Sequence, residues 1–182
     1  KITESVLSTA AAIIDIQNIP DVYSHLLVEV YGRGDAALTS RGVLMRFNND
    51  SAANYDWLER EENGGSGATA EGSSDTSINI GDVPAASATT GTVGVWVGRI
   101  PSYARTSYDK AAEINYTYKV GSTAGGIRGG YGGGHWRNTA AINSFVVVLP
   151  FVPVTAITGS EKSRRYRAAK PPSAARVFST AP

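Results

Sequence analysis

Apolar and polar residues alternate with period two along much of this chain. No stretch longer than about ten residues repeats them at the three-and-four spacing of an amphipathic helix. Leu26, Val28 and Val30 share one parity, against Leu27, Glu29 and Tyr31, which predicts a strand over His25–Tyr31. Val43, Met45 and Phe47 alternate with Leu44 and Arg46. Val93, Val95 and Val97 alternate with Gly94, Trp96 and Gly98, a strand with its glycines on one side that ends at Pro101. Ile114, Tyr116, Tyr118 and Val120 alternate with Glu113, Asn115, Thr117 and Lys119, the pattern of a sheet with one covered face. Ile2–Leu7, Ala11–Ile16, Ser77–Ile80 and the β-branched run Ile142–Leu149 add shorter strand candidates.

Turn chemistry separates these runs. Asn18-Ile19-Pro20-Asp21 forces a turn, because proline fixes its own dihedral and restricts the residue before it. Gly32–Asp35 reads as another. Asn48-Asn49-Asp50-Ser51 sits between the Val43–Phe47 run and an exit through Tyr55 and Trp57, and reads as the corner of a β-hairpin. Residues 61–76 are polar and small without periodicity, which predicts a long loop. Val83–Gly91 reads as a small-residue loop, and Gly121–Gly134, with eight glycines, as a loop or a chain of tight turns. The sum is an all-β fold: an antiparallel β-sandwich, jelly-roll-like, of eight to ten short strands. Prolines at 150, 153, 171 and 172 break up the end of the chain. We therefore expect a sandwich domain over residues 1–157 and an extended, basic, proline-containing arm over 158–182.

Composition agrees with that reading. Charged residues make up only 18% of the 182, and there are 20 glycines, which suits a turn-rich β protein. There is no Cys, so disulfides, thiolate zinc sites and Cys nucleophiles are excluded. No apolar run reaches the length of a membrane-spanning helix, and no membrane insertion is expected. The opening Lys1-Ile2-Thr3 lacks a signal-peptide pattern, and a start without Met points to processing. Charge is unevenly placed. Residues 1–157 carry 11 Lys and Arg against 15 Asp and Glu, a balance of −4; residues 158–182 carry six against one, a balance of +5. The arm's Lys162, Arg164, Arg165, Arg167 and Lys170 fit docking on an acidic neighbouring subunit, and less well nucleic-acid phosphates.

Candidate chemistry is thin. Asn48, Asn49, Asp50, Asn54 and Asp56 offer the oxygens a calcium ion wants, but the EF-hand spacing is absent and turn capping explains them better. No metal or cofactor is expected. Tyr55, Asp56 and Trp57, with Trp136 and Arg137, have the aromatic faces and polar groups of a sugar site; the two tryptophans read more readily as sheet or core packers. His25 and His135 are the only histidines, and no Gly-x-Ser-x-Gly elbow accompanies them, so a non-enzymatic protein is expected. Glu59, Glu61 and Glu62 read as a solvated strand end. Gly129–Gly134 fits no phosphate-binding pattern, and Arg33-Gly34-Asp35 reads as a turn.

Several blocks together resemble a known group. They are Asn18-Ile19-Pro20 followed by Tyr23-Ser24-His25-Leu26, the Arg46–Trp57 stretch, Ile100-Pro101-Ser102-Tyr103-Ala104, and His135-Trp136-Arg137-Asn138-Thr139-Ala140-Ala141-Ile142-Asn143. Their order and spacing, over roughly residues 5–150, resemble short β-rich virion structural proteins of tailed bacteriophages. The resemblance implies a non-enzymatic virion component, in a tail fibre, tail tip or surface decoration. It implies other virion subunits and a homo-oligomer as partners, and host-surface glycans as a further one. Members close soon after Gly-Ser with a Leu-Tyr-Gly end. Here Gly159-Ser160 runs instead into Glu161-Lys162-Ser163-Arg164-Arg165, so the arm departs from the pattern. The alternative is a stand-alone carbohydrate-binding module.

Overall fold

The computed structural model describes residues 11–122 and 126–148, and the backbone pairing of 154–155. The arm residues Lys162, Arg164, Arg165, Arg167 and Lys170, and the Ile2–Leu7 piece, lie outside the described residues. Eleven strands follow one another in the chain: β1 (Ile13–Ile16), β2 (His25–Gly34), β3 (Ser40–Phe47), β4 (Tyr55–Asn63), β5 (Ser66–Asp75), β6 (Ile78–Pro84), β7 (Gly94–Pro101), β8 (Lys110–Lys119), β9 (Ile127–Trp136), β10 (Phe145–Val148) and β11 (Val154–Thr155).

They form two sheets, in hydrogen-bonded order β1-β10-β3-β6 and β11-β2-β7-β8-β9-β4-β5. Each pairing within them is antiparallel. With the β7–β8 hairpin and β11 set aside, the orders become β1-β10-β3-β6 and β2-β9-β4-β5. That is the wiring of a jelly roll, in which the chain keeps crossing between two packed sheets. The β7–β8 hairpin widens the second sheet between β2 and β9. The fold class read from alternation therefore holds, with one strand more than the upper expectation.

Alternation located the half-buried strands. In β8, residues 110 to 118 alternate buried and exposed without exception. In β3, Val43, Met45 and Phe47 point into the core, and in β2 Leu26 does while Leu27 is exposed. In β7 the inward parity is that of Gly94, Trp96 and Ile100, and Val97 faces out.

Three expectations are corrected. Residues 61–76 are not a loop: they complete β4, turn, and form β5. Gly64 (φ 57°) and Gly65 (φ 101°) supply the two left-handed residues that a tight two-residue hairpin turn needs. The period-two signal was absent because β5 is exposed on both faces. Nor is the glycine-rich run a chain of turns, for Ile127–Trp136 is the full-length strand β9. Its glycines make room for neighbours. A Cβ on Gly134 would meet the Ile78 side chain at 2.5 Å, and one on Gly130 would sit 2.6 Å from the Tyr116 hydroxyl. Finally, residues 48–54 are not a hairpin corner. They carry the chain from β3 in one sheet to β4 in the other, with Asn48 and Asn49 both left-handed.

Candidate functional site

The crossing at residues 48–54 is a closed hydrogen-bonded plug. Asn48 Oδ1 accepts from the backbone N–H of Asn143 (2.9 Å) and Ser144 (3.2 Å), and its amide donates to the Ala141 carbonyl (2.8 Å). Asp50 accepts from Trp136 Nε1 (2.8 Å), Asn54 Nδ2 (2.9 Å) and the Ala52 N–H (2.9 Å). Partial burial works to raise the Asp50 pKa, but these donors, Asn54 and Trp136 foremost, hold it below the ordinary carboxylate value. Of the oxygens read as calcium ligands, those of Asn48 and Asp50 are thus engaged by protein hydrogens. Among the described residues no group of three or more His, Asp or Glu is placed to hold a metal.

Tyr55 and Trp136 belong to that plug. Both are buried, at 0% and 1% exposure, and their rings stack with centroids 6.3 Å apart and planes 15° from parallel. The Tyr55 hydroxyl accepts from the Phe47 N–H (3.0 Å) and donates to the Asp50 carbonyl (3.1 Å). Burial, ahead of the nearby Asp50 charge, pushes its pKa up to about 12. As sugar-stacking residues the two are corrected: their ring faces are inside the sandwich, packed on Phe47 and each other, and no ligand reaches them.

Asp56, Trp57 and Arg137 remain at the surface, at the base of the β4–β5 hairpin. Asp56 Oδ1 accepts from the Ser74 N–H (2.9 Å) and Ser73 Oγ (3.0 Å), and Arg137 Nε lies 3.5 Å from its Oδ2. The Ser74 N–H first, then Ser73 and Arg137, hold Asp56 below the usual carboxylate range. Arg137 also donates to the Ala53 carbonyl (2.7 Å) and Ser74 Oγ (3.1 Å). Trp57 is partly covered and donates from Nε1 to Asp75 Oδ2 at 2.6 Å. Asp56, Trp57, Leu58, Glu71, Gly72 and Ser73 line a shallow open depression. Of the five proposed sugar-contacting residues, three are at the surface, and Asp56 and Trp57 reach this depression.

Farther along β4 the inward parity continues through Glu59 and Glu61, which corrects their reading as part of a solvated strand end. Of the three glutamates only Glu62 is exposed. Glu59 and Glu61 face Asn79 and Asp82 of β6, Tyr116 and Tyr118 of β8, and Arg128 of β9. Asn79 Nδ2 donates to Glu59 Oε1 (3.3 Å), and the Tyr118 hydroxyl donates to Glu61 Oε2 (2.6 Å) with Asp82 Oδ2 at 3.3 Å. Arg128 Nη1 lies 3.6 Å from Glu61 Oε1. Glu59 Oε2 and the Tyr116 hydroxyl are buried without a hydrogen-bond partner. Burial, then the charges of Asp82 and Glu61, raise the Glu59 pKa to about 7. Burial and the same carboxylates push Tyr116 and Tyr118 well above the phenolic range. The signal was in the sequence: Glu59 and Glu61 share the parity of Tyr55 and Trp57.

Arg33 of the Arg-Gly-Asp tripeptide is structural. It sits in β2 rather than a turn and donates to the carbonyls of Ala86, Ala88, Thr89 and Thr92, fastening the loop that follows β6. The comparisons with known proteins add no name to this geometry: no family model, curated protein or solved structure matches the chain.

Proposed function

We propose that the chain is a non-enzymatic structural protein of a tailed-phage virion. It assembles on the particle surface as a homo-oligomer, in a tail fibre, tail tip or capsid decoration, and contacts host-surface glycans. One observation supports the assembly part most. β5 is a ten-residue edge strand, exposed along nearly its whole length, bonded to β4 on one side and to no described strand on the other. Its residues are Ser, Gly, Ala and Thr with Glu71 and the terminal Asp75; it has no Lys and no Pro. Such an unguarded edge is a template for pairing with another chain, and proteins that stay monomeric blunt it. Jelly rolls are used in viral shells and lectins, which is analogy only.

Light scattering across a concentration series tests this. The wild-type chain is expected to self-associate, and Ala70→Lys, at an exposed edge position, to shift it toward monomer with an unchanged circular dichroism spectrum. A wild type that stays monomeric at all concentrations would contradict the assembly reading.

The second reading, a stand-alone carbohydrate-binding module, is favoured by the depression at Asp56 and Trp57. It predicts glycan binding that is lost in Trp57→Ala while the fold survives.

A further inference from the structure

The outer face of the seven-stranded sheet carries a second aromatic position, beyond Leu58 at the margin of the depression. Tyr131, at the centre of β9, is 58% exposed. Along its strand the next residues on that face are Gly129 and Gly133. Across the sheet Tyr131 stands between Asn115 of β8 and Arg60 of β4, and Gly133 between Glu113 and Leu58. The gap over Gly133 is built in. A Cβ there would lie 2.8 Å from the Ala112 carbonyl oxygen, so a side chain is excluded, and no side-chain atom comes within 4 Å of that point. A bare notch results, with Tyr131 on one side along the strand, His135 on the other, and Leu58 and Glu113 as lateral walls.

From this we infer a saccharide subsite on the outer sheet face, with the Tyr131 ring stacking on a pyranose above the Gly133 notch. The mixture of groups selects that ligand class. Around the notch the lateral neighbours are charged or amide side chains: Asn115 and Arg60 flank Tyr131, and Glu113 faces Leu58 across Gly133. A protein interface core would be contiguous and depleted of charge. A sugar offers what this surface asks for, an apolar C–H face for the ring and hydroxyls for Asn115, Arg60 and Glu113. The Glu113 charge is not spent on a tight internal contact, for Arg99 Nη1 stands 3.8 Å from it and both side chains are well exposed; Arg60 is already paired through Nε with Glu62 Oε1 at 2.7 Å.

The subsite rests on the glycan-contact reading and moves its centre from Trp57 to Tyr131. The full chain is screened against immobilised hexose and N-acetylhexosamine oligosaccharides, and the best hit is titrated by calorimetry. Tyr131→Ala is expected to weaken binding about tenfold or more, Tyr131→Trp to retain it, and Tyr108→Ala, at a tyrosine 56% exposed in the segment before β8, to leave it unchanged. Binding that survives Tyr131→Ala and falls in Trp57→Phe overturns the subsite and keeps the glycan reading. No binding of the wild type overturns both. Self-association lost in Tyr131→Ala, without glycan binding, makes the face an interface between copies and overturns the subsite.

Discussion

Replacing Glu59 by Gln should make the sandwich more stable in mild alkali while changing little in mild acid. The Glu59 carboxyl faces two other carboxylates, Glu61 and Asp82, and two buried tyrosines, with Arg128 nearby. Its Oε2 has no hydrogen-bond partner. Its pKa is raised from 4.5 to about 7 on folding. The native state therefore binds more protons than the unfolded chain across that window, and stability must fall as pH rises from 4.5 to about 7, then level off. A shift of this size is worth about 3 kcal/mol if fully expressed. Glu59 is only partly buried, and solvent screening reduces this to about 1–2 kcal/mol. Glutamine keeps the shape and the contact with Asn79 and removes the ionisation. Urea unfolding of wild type and Glu59→Gln at about pH 5 and about pH 8 isolates the effect, since every other group is common to both proteins. The variant should gain about 1–2 kcal/mol at the higher pH, or about 2–8 °C in Tm. An equal difference at both pH values, or a variant less stable at the higher one, would refute the account of this cluster.

Other perturbations have definite expected outcomes. Tyr55→Phe leaves the buried Phe47 N–H without its acceptor and should cost about 1–3 kcal/mol in denaturant unfolding with no change in slope. Gly81→Ala puts a Cβ 2.4 Å from the Tyr116 ring at a left-handed position (φ 91°), and a loss of more than about 1 kcal/mol is expected; a neutral result would mean the ring can move aside. Arg33→Ala removes the donors that hold the carbonyls of 86, 88, 89 and 92, and should raise amide hydrogen exchange in residues 85–92 well above that in β8.

The parts of the fold legible from sequence were those where one sheet face is covered and the other wet. β2, β3 and β8 follow from parity alone, because burial on one side enforces alternation. The β4–β5 hairpin was missed because its outer strand buries neither face, so nothing in Ser66–Asp75 needs to alternate; the Gly64-Gly65 pair was the remaining clue. β9 was missed because its core contacts are made by other strands' side chains, Tyr116 and Ile78, lying against bare glycine backbone. The candidate site was half legible. Asp56, Trp57 and Arg137 are at the surface as expected. Tyr55 and Trp136 are inside, and what decides it is a partner beyond the reach of local pattern: Asp50, in the crossing, accepts the indole N–H of a residue far along the chain at 2.8 Å. Tyr131 gave no signal among its glycines, since its prominence comes from the cross-strand register that clears the space beside it.

The proposal that this is a virion surface component is tested most directly by quantitative mass spectrometry of virus particles purified from the source of the chain. The account predicts a fixed copy number consistent with a symmetric oligomer, removable by surface proteolysis that leaves the packaged genome intact. Its absence from the intact particle, with the protein found only free in the lysate, would contradict the account.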